Sequence, residues 1–272
     1  FSSSSPNLQN IPIRTELGRE IRRAFIAEEG WLLLAADYSQ VELRVLAHIS
    51  GDPAMRAAFA RGEDIHASTA AAIYGVPLDE VTPAQRRVAK MTNFAISYGV
   101  TGYGLSERTE LSPEEAEVFI KTYFETYPQI KKYIDDTRQQ AREQGYVETL
   151  LGRRRYFPQL GTRARVHYNV REAAYRMAIN APIQGTAADI LKVALQRLWQ
   201  ALKEQNLRSR MILQVHDELV LEVPEDELEV VAPLAIQIME GAYALEAPLK
   251  VDAKVGRDWL EMEDYTVDGG TL

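Results

Sequence analysis

Cysteine is absent from the 272 residues, which excludes a disulfide framework, a thiolate zinc site and a cysteine nucleophile. No apolar run reaches the length that crosses a bilayer, and the N-terminal FSSSSPNLQNIP lacks the basic and apolar regions of a secretory leader. Repeats are lacking too, as are low-complexity tracts beyond the serines at 2 to 5. The first residue is Phe1 rather than Met, so the chain reads as part of something longer. Positive charge is in short supply: 31 Lys and Arg against 39 Asp and Glu give a formal net charge of −8, which argues mildly against a nucleic-acid partner. What is plentiful is apolar residue, at 46% enough for the packed core of one large or two ordinary domains.

The charge is unevenly spread. Residues 222 to 268 hold 13 acids and 3 bases, leaving the rest of the chain at +2. Between Arg153 and Arg176 seven arginines stand against one acid, Glu172. Such a patch suits a solvated helix face, but arginine without lysine favours planar recognition of phosphates or bases.

Two acidic sites stand out. Trp31 to Ala36 is a continuous apolar run, Asp37-Tyr38-Ser39 breaks it, and Gln40 to Ile49 repeats apolar residues at helical spacing. Strand, turn and helix follow, with Asp37 at the end of a buried strand. That is a place for a metal ligand or a catalytic acid, and equally for a helix N-cap. Met211 to Val215 and Leu219 to Val223 read as a hairpin around His216-Asp217-Glu218. The usual Asn-Gly or Asp-Gly turn is missing, so the turn is looser than usual or built for a purpose. An acid at a strand end and an acidic pair on a hairpin can hold two Mg2+ ions, which clamp the attacking and leaving oxygens of a phosphoryl or nucleotidyl transfer. The plain alternative is a solvated hairpin tip.

The strongest helix signal spans 83 to 98, with Thr82 as cap, Pro83 in the first position, Gln85 completing a capping box and Gly99 as stop. Arg86, Lys90 and Phe94 recur every four residues on one face, and Tyr98 continues the stripe. Two cations followed by two aromatics match the plan of a nucleoside triphosphate; a lone amphipathic helix has the same look. Other expectations are an extended segment over 1 to 15, helices near 53–60, 64–74, 113–125 and 128–144, and a β-pair around Gly152. A long helix over 165–203 breaks near Pro182 to Gly185, and a helix over 225–240 is kinked or split at Pro233. The last strand falls at 249–255.

These segments resemble DNA polymerases of the A family, the bacterial polymerase I group. The resemblance rests on SSSSPNLQNIPIRT, DYSQVELR, RRVAKMTNFAISYG, APIQGTAAD and QVHDELVLE, in family order over nearly the whole chain. It implies an α+β fold: an antiparallel palm sheet backed by helices, with a helical fingers subdomain, in a right-hand polymerase without its thumb. The palm would be 1–43 and 165–272, with the catalytic hairpin at 211–223, and the fingers 44–164. Nothing in the chain corresponds to the thumb, which precedes Phe1 in the family, to the first palm strands or to either exonuclease domain. The implied activity is template-directed addition of deoxynucleotides to a primer 3′-hydroxyl with release of pyrophosphate, in replication and repair. The implied partners are primer-template DNA, a deoxynucleoside triphosphate and two Mg2+, for a monomer in the bacterial cytoplasm with no membrane role.

Residue by residue, the resemblance makes Asp37, Asp217 and the Tyr38 carbonyl metal ligands, with Glu218 in support. Arg86, Lys90 and His66 become triphosphate contacts, Lys90 also the proton donor to pyrophosphate. Phe94, Tyr98 and Gln40 line the nucleotide pocket, and Glu42, near Tyr98, excludes a ribose hydroxyl. Arg14, Gln184, Asn180, Arg176 and His216 contact DNA, Arg14 and Gln184 from the minor groove, where base-pair shape can be tested without reading sequence. Met91 and Ala95 stand where smaller or different residues are expected. A metal-dependent nuclease would use the same acids but have no use for the Arg86–Lys90–Phe94 stripe, and a third reading is a non-catalytic DNA-binding fragment, active only when joined to its missing N-terminal part.

Overall fold

The structure, a computed structural model, describes residues 4–12, 15–96, 98–99, 101–161, 164–266 and 270–271. In chain order the elements are α1 (Glu16–Arg23), β1 (Trp31–Tyr38), α2 (Val41–Ser50), α3 (Pro53–Ala60), α4 (Ile65–Tyr74), α5 (Pro83–Ile96), α6 (Gly102–Ser106), α7 (Pro113–Thr126) and α8 (Pro128–Gln144). There follow β2 (Tyr146–Glu148), β3 (Arg154–Tyr156), α9 (Tyr168–Glu204), β4 (Arg210–Val215), β5 (Glu218–Pro224), α10 (Leu228–Glu240), β6 (Val251–Gly256), β7 (Met262–Thr266) and β8 (Gly270–Thr271). The chain divides into two compact units. One comprises residues 1–41, 188–244 and 249–272; the other comprises 42–187 and 245–248.

The first unit is built on a six-stranded sheet in the order β4-β5-β1-β6-β7-β8, with every pair antiparallel. β1 lies inside it because Leu33 to Ala36 are buried and apolar on both faces, the mark of a strand covered on two sides. Leu33 and Ala35 pack with Val215, Val220 and Trp259. On the opposite face Tyr38 is buried and donates its hydroxyl proton to the Met239 carbonyl of α10 at 2.6 Å.

The second unit is mainly helical. One core joins α4, α5, α6 and α7 through Ala70, Val88, Ala89, Leu105, Ala116 and Phe119. Another joins the β2–β3 pair to α8 and α9 through Ala141, Val147, Phe157, Ala174, Ala178 and Ala181. Capping fixes the helix starts: Asp52 and Asp64 cap α3 and α4, Thr82–Gln85 forms the capping box read from the sequence, and Ser112–Glu115 forms a second at the start of α7.

Several expectations are corrected. The approach to β1 includes a helix, α1, which Thr15 caps. α5 is described to Ile96, and Tyr98, expected at its end, lies in a turn. α9 runs 37 residues through Pro182 without a break, and α10 continues through Pro233 as one helix. The strand expected at 249–255 is β6, and it is not the last, since β7 and β8 extend the sheet beyond it. The acidic hairpin has a tight turn: Val215 pairs with Glu218, so only His216 and Asp217 lie between the strands.

Candidate active site

The carboxylates gather at one end of the sheet. Asp37 stands directly opposite Glu218 on β5 and opposite Asp252 on β6, so three acids lie abreast across three strands. Like charges placed this way repel. Solvent reaches Asp37, but protein packs around its carboxylate. That partial burial, followed by the charges of Asp217, Glu218 and Asp252, raises its pKa to about 7. Burial likewise raises Asp217. It raises Glu218 too, against the pull of a hydrogen bond from Trp259 Nε1 at 3.1 Å and the charge of Arg22. Trp259 is in turn clamped, with Arg22 4.3 Å over its ring and Phe25 edge-on at 5.5 Å.

The backbone flanking these acids adopts unusual conformations. His216, just before Asp217, has φ +56°, and Gln40, three residues after Asp37, has φ +49°. Non-glycine residues at positive φ cost energy and concentrate where geometry is functionally constrained. Here they turn the chain sharply after β1 and before β5, which brings Asp217 beside β1: its carbonyl accepts the Tyr38 N–H at 3.4 Å.

Mg2+ takes hard oxygen donors, commonly one or two carboxylates with several waters. Asp37 and Asp217, with the Tyr38 carbonyl at the same strand end, are donors of that kind, and crowded carboxylates gain from a cation between them. Among the described residues no group of three or more His, Cys, Asp or Glu side chains is arranged to hold a metal ion. Burial of the Tyr38 phenol raises its pKa, so only its main chain is available as a ligand.

In the helical unit, the stripe on α5 is partnered. Arg86 is ion-paired with Asp64, Nη2 to Oδ2 at 2.6 Å, while Asp64 also caps α4. Lys90 is exposed. Phe94, 40% exposed, packs its ring 5.6 Å from that of His66. His66 is no surface cation: it is 2% exposed, and burial lowers its pKa to about 4, so the ring is neutral near pH 7. Met91 packs against the α4–α7 core and Ala95 is buried, so neither faces the stripe.

Tyr98 is joined to three of the expected residues. Its hydroxyl accepts a hydrogen bond from Gln184 Nε2 at 2.7 Å, and Asn180 also bonds to it. The charge of Glu42 reaches it as well, adding to burial in raising its pKa. Asn180 is 7% exposed and keeps its Oδ1 buried without a hydrogen-bond partner. Arg176 is exposed and runs beside Gly99, where a Cβ would come within 3.2 Å of Arg176 Cγ. In the arginine patch, Arg154 is paired with Glu148 at 2.5 Å and Arg155 stacks over Phe157. Arg14 and Arg163 lie outside the described residues.

The sequence reading missed Asp252, Asp64 and Trp259. Asp252 had one signal, its outward position in the alternating VDAKV of β6, but which strand lies beside it is set by chain far away. Asp64 fell at the start of the helix expected over 64–74 and was given no role.

A profile of DNA polymerase family A matches residues 1–261. The chain belongs to DNA polymerase family A. Within that family, it is 55% identical over 261 residues to the thermostable DNA polymerase I of Thermus filiformis and 53% identical over 264 residues to that of Thermus aquaticus. With DNA polymerase I of Bacillus subtilis the identity is 50% over 262 residues. These matches cover 96 to 97% of this family A chain, which spans only 29 to 31% of the length of those relatives. Among solved structures, the POL domain of Pol1 from M. smegmatis, in complex with DNA primer-template and dNTP, superimposes with a TM-score of 0.90 at 49% identity. The match covers 95% of this chain and 45% of that one. Among the described residues of the family A chain no helix is long and apolar enough to cross a membrane.

Proposed function

We propose that this chain carries the nucleotide-adding centre of a DNA-directed DNA polymerase, with 1–43 and 165–272 as palm and 44–164 as fingers. The observation that carries the reading is the register that sets Asp37 against Glu218 and beside Asp217, in a chain of this family. Asp37, Asp217 and the Tyr38 carbonyl would hold two Mg2+ ions. When bound, these supply charge neutralisation at the reacting phosphate and at the attacking and leaving oxygens. Glu218, held by Trp259, adds negative charge that strengthens cation binding. Arg86 and Lys90 would take the triphosphate of the incoming nucleotide, and Lys90, exposed on the stripe, would give a proton to the departing pyrophosphate. Phe94 and Tyr98 give the base and sugar apolar surface. Glu42, close to Tyr98, would exclude a 2′-hydroxyl, and Gln184 and Asn180 would touch the primer-template. The work of the protein is then positioning and charge placement.

Primer extension tests this. The chain is given a labelled primer-template, Mg2+ and the four dNTPs. Asp37→Asn and Asp217→Asn should each abolish extension, and Glu218→Gln should lower it less. Near-normal extension by either Asp variant overturns the reading. Primer shortening that needs Mg2+ but no dNTP would make the same acids those of a nuclease.

A further inference from the structure

The buried polar residues between α4, α5 and the α7–α8 junction form a hydrogen-bonded chain whose protons can be placed one by one. Thr69 Oγ1 lies 2.7 Å from the Ile65 carbonyl, which can only accept, so the hydroxyl proton points there. The lone pairs of Oγ1 then accept from Asn93 Nδ2 at 3.1 Å and from the Tyr127 hydroxyl at 3.2 Å. Its longer approach to Asn93 Oδ1, 3.4 Å, has no proton left to fill it. This fixes the amide: turned over, Asn93 would set Oδ1 against an oxygen that has already used its proton. The second Nδ2 proton of Asn93 is directed at His66 Nδ1, 3.1 Å away. An amide nitrogen cannot accept, so Nδ1 must, and a neutral imidazole that accepts at Nδ1 carries its proton on Nε2.

All four members are buried: Thr69 and Asn93 fully, His66 and Tyr127 to 2% exposure. In such surroundings the hydrogen bonds that the chain does make are costly to disturb. Burial favours the neutral ring. Of the charges that face it, Asp64 on the α4 side opposes this, while Arg86 and Lys90 from α5 reinforce it.

We propose that Asn93 is a positioning residue that fixes His66 as its neutral Nε2–H tautomer, so that the imidazole offers a phosphate oxygen on the Arg86–Lys90 face of α5 one hydrogen-bond donor and no charge. This rests on the nucleotide-binding reading of that face. The consequence is a division of labour: Arg86 and Lys90 supply charge, which attracts any anion, and His66 supplies direction.

The experiment is long-range 1H–15N correlation NMR of the chain labelled with 15N-histidine, with His66→Gln assigning one of the four histidines. Wild-type His66 should show the Nε2–H pattern and hold it down to about pH 5, given a pKa of about 4. Asn93→Asp offers Nδ1 only acceptor oxygens, so it should move the ring proton to Nδ1 and raise the ring's pKa by more than one unit. Thr69→Val, which keeps the shape but removes the acceptor that orients the amide, should give a mixture of tautomers even if the aspartate variant fails to fold. Adding dATP to the wild type should shift the Nε2–H resonance. A wild-type Nδ1–H pattern, or a tautomer that neither variant changes, overturns the proposal. So does calorimetrically measured dATP binding that leaves the His66 ring signals unmoved, and in that case the nucleotide reading survives. Failure of dATP to bind at all overturns that reading and the proposal with it.

Discussion

Asp37 is a residue the fold would be more stable without. Its carboxylate faces Glu218 and Asp252 across neighbouring strands, and each such like-charge pair costs a few tenths to about 1 kcal/mol. Asp37→Asn should therefore raise the unfolding free energy of the metal-free chain by about 1 kcal/mol while abolishing Mg2+-dependent extension. Thermal unfolding in EDTA, compared with wild type, checks the first half, and an unchanged or lower midpoint refutes it. His66 gives a pH signature of its own. Its pKa falls from an ordinary value near 6.5 to about 4 on folding, so between those values the unfolded chain binds the extra proton and stability rises with pH. Acidification from pH 6.5 to 4 should remove on the order of 2 kcal/mol through this group. His66→Gln should flatten that part of the profile, as read by urea unfolding at a series of pH values. Asp37 acts in the opposite sense, because its folded pKa is raised to about 7: its share of stability falls as pH rises from about 4 to 7. The two slopes can be separated only with both single variants.

Among the elements, α9 is the one whose continuity needs explaining. Pro182 removes an N–H and crowds the carbonyl of Ala178, at a cost of about 3 kcal/mol in an isolated helix. Packing overrides this: Ala178, Ile179, Ala181 and Ile183 are buried, and the Tyr133 hydroxyl donates to the Ile179 carbonyl at 2.7 Å, within the disturbed turn. Gly185 has a different task. A Cβ there would come within 2.6 Å of Thr149 Cγ2, so glycine lets the β2–β3 turn press on the helix, where Leu150 N–H bonds to Thr186 Oγ1 at 3.0 Å. Gly185→Ala should destabilise by about 1 to 3 kcal/mol. Thr149→Ser, which removes the methyl but keeps the hydroxyl that accepts the Arg153 N–H, should restore most of it in the double variant. Additive losses in chemical denaturation would show that the contact is not the cause. The same elements show what was legible in the sequence. β1, α2 and the acidic hairpin announce themselves through local periodicity, α5 and α7 through caps, and α4 through the Gly75-Val76-Pro77 that ends it. The break expected at Pro182 was wrong because its remedy, Tyr133, is some 50 residues away. β7 and β8 went unseen because MEDYT has little apolar alternation and the second strand is two residues long. Asp37 and Asp217 were readable as candidates, whereas Asp252 opposite Asp37 and Asp64 beside Arg86 depend on which distant segments become neighbours.

At the scale of the molecule the acid excess belongs wholly to one unit. The sheet unit holds 12 basic and 21 acidic residues, the helical unit 19 and 18. Duplex DNA approaching the sheet unit meets net repulsion, so affinity has to come from a limited set of cations, among them Lys90 and the arginines from 153 to 176. Each phosphate neutralised contributes a slope of about −0.9 to the dependence of log affinity on log salt. Primer-template binding by these 272 residues should therefore weaken at least about tenfold between 50 and 200 mM salt, as measured by fluorescence anisotropy. Salt-insensitive binding would contradict the charge map. The sheet order carries one more consequence, for the chain as it is being made. β1 lies between β5 and β6, yet its first partner begins 180 residues after its own end, at Glu218. At about 5–20 residues per second, a ribosome takes roughly 10–40 s to deliver it. For that interval the most apolar strand of the nascent chain has two unpaired edges and nothing of its own sheet to join, while the helical unit behind it can already close. During synthesis, the apolar segment that ends at Asp37 is thus the place where a chaperone or a neighbouring nascent chain finds its longest opportunity.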